Sequence, residues 1–112
     1  MQITTRKQNG IAILKLSGEV DLYNAFQISE ELDRLAAEKY TKAVVDLEMV
    51  PYVDSTGIGA FLAGAKKMKA KGGDLKFCNV RDSVKKIFKL ANLLPRFTLY
   101  PSEDEALAAF EG

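Results

Sequence analysis

The run Lys42-Ala43-Val44-Val45-Asp46-Leu47 constrains this chain more than any other stretch. It is short and compact with a β-branched centre at Val44-Val45, and it follows a segment of helical period. That pattern belongs to a strand covered on both faces of a parallel or mixed sheet, so it is the expected central strand. Upstream, residues 3–7 and 11–16 are β-favouring runs separated by Gln8-Asn9-Gly10. Asn-Gly between such runs signals a hairpin. Gly18-Glu19-Val20-Asp21 breaks the second run, and Asn24 is placed to cap a helix. In that helix Ala25, Ile28, Leu32, Leu35 and Ala36 share one face, leaving Glu30, Glu31, Asp33, Arg34 and Glu38 to solvent.

Downstream, Pro51 and Tyr52 mark a loop. A helix starting at Ser55 then carries Ile58, Phe61, Leu62, Ala65 and Met68 at three-to-four spacing until Gly72-Gly73 ends it. Residues 75–80 read as a strand. Asp82 or Ser83 starts a helix bearing Val84, Ile87, Phe88 and Ala91, Pro95 closes it, and residues 97–100 form a last strand. Ser102-Glu103-Asp104-Glu105 has the form of a capping box before Ala106, Leu107 and Phe110. The expected fold is therefore α/β: residues 1–112 as a single domain, an N-terminal hairpin followed by β-α units, in a mixed sheet of about five strands with about four helices.

Composition removes several function classes. With 16 basic and 15 acidic residues the net charge is +1, so no global field draws the chain to nucleic acid or a membrane. The first residues lack the apolar core of a signal peptide, and no segment is long enough to span a bilayer. The chain is expected to be cytoplasmic, with no direct membrane insertion. Histidine is absent, which removes Ser-His and Cys-His catalysis and the commonest metal ligand. The lone Cys78 lies in the apolar run Leu75-Lys76-Phe77-Cys78 and reads as a buried core thiol. Neither an enzyme, a metal site nor a cofactor is expected.

The candidate site is Asp54-Ser55-Thr56-Gly57-Ile58-Gly59, where strand and loop give way to a helix. The first N–H groups of a helix lack internal partners and carry the positive end of its dipole, so a phosphate on Ser55 is favoured there. Gly57 and Gly59 have no side chains to obstruct another molecule's approach to the hydroxyl. Ser and Asp are also preferred N-caps, so a purely structural cap and a modification site both fit the residues. A nucleotide cradle does not fit. Gly59 and Gly64 have P-loop separation but are followed by Ala65 and Lys66, and a dinucleotide fingerprint requires glycine where Leu62 stands. A phospho-accepting Asp46 would need further carboxylates, for which Asp21 and Glu48 are the available residues. Lys66, Lys67, Lys69 and Lys71 crowd the end of the same helix. They suit either a solvated C-terminal turn, the preferred reading, or a docking patch for an acidic partner.

The order of elements and the Asp54–Gly59 segment resemble the STAS domain family, specifically the bacterial anti-sigma factor antagonists. Leu16-Ser17-Gly18-Glu19-Val20-Asp21 is similar to that family's Gly-acidic-apolar-Asp segment, and Ala43-Val44-Val45-Asp46-Leu47 to its central strand. The resemblance covers nearly the whole chain. It implies a partner switch: the unphosphorylated antagonist binds an anti-sigma factor that is also a serine kinase, freeing a sigma factor. Phosphorylation ends the binding, and a metal-dependent serine phosphatase restores it. Ser55 matches the phosphoacceptor, while Asp21, Asp54, Thr56, Gly57, Ile58 and Gly59 fall at the partner-binding surface. Thr56 leaves two adjacent hydroxyls. The alternative within the family is an accessory or scaffold subunit of a signalling assembly or membrane transporter, in which the loop serine is only a cap.

Overall fold

A computed structural model describes residues 1–95 and 97–111. The elements are β1 (Gln2–Gln8), β2 (Ile11–Ser17), α1 (Ala25–Ala37), β3 (Lys42–Met49), α2 (Ser55–Ala70), β4 (Asp74–Cys78), α3 (Asp82–Leu90), β5 (Leu99–Tyr100) and α4 (Glu103–Glu111). The sheet runs β1-β2-β3-β4-β5, antiparallel between β1 and β2 and parallel thereafter. Asn9 and Gly10 make the two-residue turn between β1 and β2, with φ of 54° and 78°. Both signs are positive, as a hairpin turn matched to strand twist requires.

β3 is central, and Ala43 to Leu47 are all buried. Alternation divides them between two cores. Ala43, Val45 and Leu47 pack with Ile28, Leu32, Phe61, Met68 and Phe88 from α1, α2 and α3. Val44 faces the opposite layer, with Ile13, Cys78, Ala106 and Leu107. Three helices thus cover one face and α4 alone covers the other.

Several boundaries differ from the sequence expectation for local reasons. Asn24 precedes α1 but its side chain turns backward: its Oδ1 accepts the Asp21 N–H at 2.9 Å, and its Nδ2 donates to the Glu19 carbonyl. β4 stops at Cys78 because Asn79 enters the left-handed region at φ 54°. Phe97 lies outside β5. Its N–H turns back to the Leu93 carbonyl, while its ring packs 4.7 Å from Phe77 and 5.4 Å from Phe88. Ala91 ends α3 as an exposed cap residue, not as part of its apolar face. Only half of the C-terminal capping box forms, the Glu105 N–H donating to Ser102 Oγ at 3.1 Å.

α2 ends in a Schellman motif. Gly72 takes φ 84°, and the Gly72 and Gly73 N–H groups reach the carbonyls of Lys69 and Met68. No helix among the described residues is long and apolar enough to cross a membrane.

Candidate functional site

Two loops meet at the carboxyl ends of β2 and β3. The Gly18 N–H donates to the Met49 carbonyl, the Val20 N–H to Tyr52, and the Asp54 N–H back to Val20, so the loops run side by side through a parallel Val20–Val53 bridge. Both valines are fully buried. This brings Asp21 and Asp54, 33 positions apart in sequence, into one neighbourhood.

Asp54 is the hinge of the arrangement. Its Oδ1 accepts the Gly57 N–H at 2.9 Å, capping α2, and its Oδ2 accepts the Leu22 N–H of the other loop at 3.0 Å. Its carbonyl accepts the Ile58 N–H. Asp21 has a similarly local duty, its Oδ1 accepting the Tyr23 N–H at 2.9 Å. Ser55 is left outside this network. It is exposed at the first helical position, and among the described residues neither its hydroxyl nor that of Thr56 makes an intramolecular hydrogen bond. The cap is therefore Asp54, and Ser55 makes no side-chain hydrogen bond among the described residues. Since Gly57 and Ile58 N–H groups are taken, those of Ser55 and Thr56 are the ones open to an incoming anion.

The two glycines differ. Gly57 is buried, and a Cβ there would lie 2.7 Å from methyls of both Val20 and Val53. Its bareness serves packing. Gly59 is exposed with nothing within 4 Å of its Cβ position, and it lies one turn along the Ser55 face. Ile58 is buried and anchors the helix start, with no surface for a partner.

Sequence reasoning missed the apolar rim. Leu22 is 65% exposed, Tyr23 83%, Phe26 55%, Met49 51% and Tyr52 46%, and all five lie on these two loops or the elements flanking them. Scattered exposed leucines need no explanation, but five large exposed side chains on these loops and their flanks form a larger apolar area. The signal was present in Phe26, which falls off the apolar face of α1.

Asp46 does not act as the alternative acceptor. It is 2% exposed, lies on the α4 face of the sheet, and its Oδ1 accepts the Glu48 N–H at 2.9 Å. Asp21 sits in the distant loop and Glu48 is exposed, so the three carboxylates do not converge. Among the described residues no group of three or more potential ligands could hold a metal. Cys78 is buried, and that burial pushes its thiol up to about 12.

Asp46 instead anchors α4. Burial would raise its carboxyl, but the polar groups facing it from Glu103, the Glu48 N–H and Asn79 hold it below the ordinary carboxylate range, helped by Lys15. Glu103 moves the other way, raised by its hydrogen bond to Asp46 and by burial against the pull of its ion-pair partner Arg6. The two carboxyls thus shift in opposite directions, Asp46 favouring its charged form and Glu103 its neutral one. Above the ordinary glutamate value of 4.5 the folded chain keeps a proton that the unfolded chain has lost, so Glu103's contribution to stability falls as pH rises through its raised value. Asp46 contributes above its ordinary value of 3.8 and loses that contribution as pH falls through its lowered one. Glu103's contribution to thermal stability should decline as pH rises above 4.5, and Glu103→Gln, which keeps a donor to Asp46 but cannot titrate, should flatten that decline. Wild-type and Glu103→Gln profiles that run parallel above pH 4.5 would contradict the raised Glu103 carboxyl.

Known proteins share this chain's sequence pattern and fold. The STAS domain profile matches residues 2–106. BtrV of Bordetella bronchiseptica is 31% identical over 111 residues, spanning 99% of this chain and 96% of its own. The anti-sigma F factor antagonist of Paenibacillus polymyxa is 27% identical over 112 residues, with 99% and 96% covered. Among solved structures, the Bacillus antagonist SpoIIAA shares the fold in its unphosphorylated form at TM-score 0.77, with 19% identity and 99% of each chain covered. Its phosphorylated form matches at TM-score 0.75, with 21% identity over 96% of this chain and 98% of that one.

Proposed function

The chain belongs to the STAS domain family, and on that footing we propose that it is an anti-sigma factor antagonist working as a phosphorylation-controlled partner switch. It acts as a single STAS domain and carries no catalysis of its own. Unmodified, it binds an anti-sigma factor with serine kinase activity and so frees a sigma factor. A phosphate on Ser55 breaks the complex, and a metal-dependent serine phosphatase resets it. The observation that carries this reading is the division of labour at the head of α2: Asp54 caps the helix while the exposed Ser55 hydroxyl is idle inside an apolar rim. Leu22, Tyr23 and Tyr52 give a partner area to bury, and Asp21, Asp54, Thr56 and Gly59 form the polar and open ground around the serine.

The test is a kinase reaction with the cognate anti-sigma factor and ATP, followed by peptide mapping. Phosphate is expected on Ser55 alone. Phosphate chiefly on Thr56 would move the acceptor by one position, and binding without any phosphorylation would favour the accessory or scaffold role.

A further inference from the structure

A net charge near zero conceals a strong segregation along the chain. Between Ser55 and Pro95 nine basic residues stand against Asp74 and Asp82, whereas between Glu19 and Asp54 nine acidic residues stand against three basic ones. The basic block belongs mainly to α2 and α3, and part of it borders a groove. Leu62, Ala65, Pro95 and Phe97 line a groove of about 500 Å³ alongside α2, with Lys66 and Lys69 at its rim. Lys66 makes no ion pair among the described residues, and the nearest carboxylate to Lys69, on Asp74, is 3.9 Å away. Leu94, next to the Pro95 wall, is 36% exposed, and Leu90 at the end of α3 is 80% exposed. The lysines of α2 therefore do more than suit a helix C-terminus: they surround apolar surface with little counter-charge.

We propose that this groove docks an acidic, amphipathic segment of a protein partner, independently of the state of Ser55. Apolar side chains of the segment would occupy the floor while its carboxylates meet Lys66 and Lys69, the helix-in-groove arrangement with complementary charge at the rim. Concavity favours a peptide segment over a lipid surface, because the floor of Ala65 and Phe97 is buried and a flat bilayer does not reach it. Lys66 and Lys69 lie 11 and 14 residues along α2 from Ser55, about 16 to 21 Å at 1.5 Å per residue. That exceeds the screening length of about 8 Å at physiological salt, so a phosphate on Ser55 leaves the groove's field nearly unchanged.

The experiment is a titration of the ¹⁵N-labelled full chain with a synthetic helix-forming peptide, leucines on one face and glutamates on the other. Parallel arms use the same peptide with lysines replacing the glutamates, and phosphatidylglycerol vesicles. Saturable shifts are expected at Leu62, Ala65, Lys66, Lys69 and Phe97, unchanged in Ser55→Asp. Affinity should fall about tenfold in Lys66→Glu/Lys69→Glu, equivalent to about 1.4 kcal/mol, and less in the Gln pair, with thermal melts verifying that both variants fold. The proposal is overturned by no saturable shifts, by shifts that survive charge reversal, or by equal binding of the lysine peptide. Lysine-dependent binding to vesicles but not to the peptide would overturn it in favour of a membrane, and peptide-free, concentration-dependent shifts at the same amides would do so in favour of a second copy. Loss of the switch at Ser55 would leave these outcomes unaffected, since the groove is tested with the acceptor disabled.

Discussion

Phosphorylation of Ser55 is expected to weaken partner binding by about 30-fold to about 5,000-fold while moving the melting temperature little, and the two halves rest on different physics. The fold half is local. Phosphate adds about 1.5 to 2 negative charges at neutral pH, and here they meet the free Ser55 and Thr56 N–H groups at the positive end of α2. Because Asp54 already holds the cap through Gly57 and ties the second loop through Leu22, the phosphate displaces nothing. The Asp54 carboxylate next to it opposes the dipole, so the net change in stability is small in either direction. At the interface the balance is one-sided. A partner that covers Leu22, Tyr23 and Tyr52 must also desolvate whatever stands on Ser55, and an unpaired buried charge costs on the order of 2–5 kcal/mol, which is the stated range in affinity. Ser55→Ala should bind normally and resist inactivation. Ser55→Asp should weaken binding less than phosphate does, having less charge and fewer acceptor oxygens. Binding titrations and melts on these forms decide the matter: a phosphoprotein that melts far lower releases its partner by unfolding, and one that binds equally well is not switched at Ser55.

The sequence disclosed the sheet more fully than the site. A run centred on Val44-Val45 and interrupted only by Asp46 asks for cover on both faces, and Asn9-Gly10 asks for a hairpin, because both follow from short-range sterics and burial. Which element would cover which face was not legible. The amphipathic period of α4 resembles that of the other helices, and what fixes it to the lone side is the packing of Ala106 and Leu107 on Ile13 and Val44 together with Glu103 facing Arg6 and Asp46. At the candidate site, sequence did not separate the local structural roles of Asp54 and Ser55. Asp and Ser are near-equal caps by local preference, and what separates them is the Leu22 N–H, supplied by a loop more than 30 residues upstream, which takes the second oxygen of Asp54. Asn24 fails as a cap for the same kind of reason, its side chain being drawn back to Glu19 and Asp21. Contacts beyond the helix end, one from a distant loop at Asp54 and one from the preceding turn at Asn24, decide among residues that local rules rank alike.

Three glycines around α2 should respond to alanine in opposite directions. Gly59→Ala adds a side chain in open space within a helix and is expected to stabilise the fold by about 0.5–1 kcal/mol. Gly57→Ala, two residues earlier, forces a methyl to within 2.7 Å of Val20 and Val53. Those side chains are β-branched and fully buried, so they cannot swing aside, and a loss of about 1–3 kcal/mol follows. Gly73→Ala should be worst, at about 3 kcal/mol or more, because the new atom overlaps the Thr41 carbonyl and the main chain itself must move. Denaturant midpoints at unchanged slope measure all three, and a Gly57→Ala protein as stable as the parent would mean that the Val20–Val53 junction is looser than its geometry implies. The functional consequences separate further. Gly73 closes the far end of α2, so its variant should bind the partner normally wherever it remains folded. Gly57→Ala pries apart the bridge that sets Leu22 and Tyr52 beside Ser55, so binding should fall even under conditions where the variant is fully folded. Gly59→Ala should gain stability yet be phosphorylated more slowly, since the methyl stands on the Ser55 face that a kinase must approach. A variant more stable but less readily modified would tie the bare surface to recognition, because no loss of folding could account for the slower reaction.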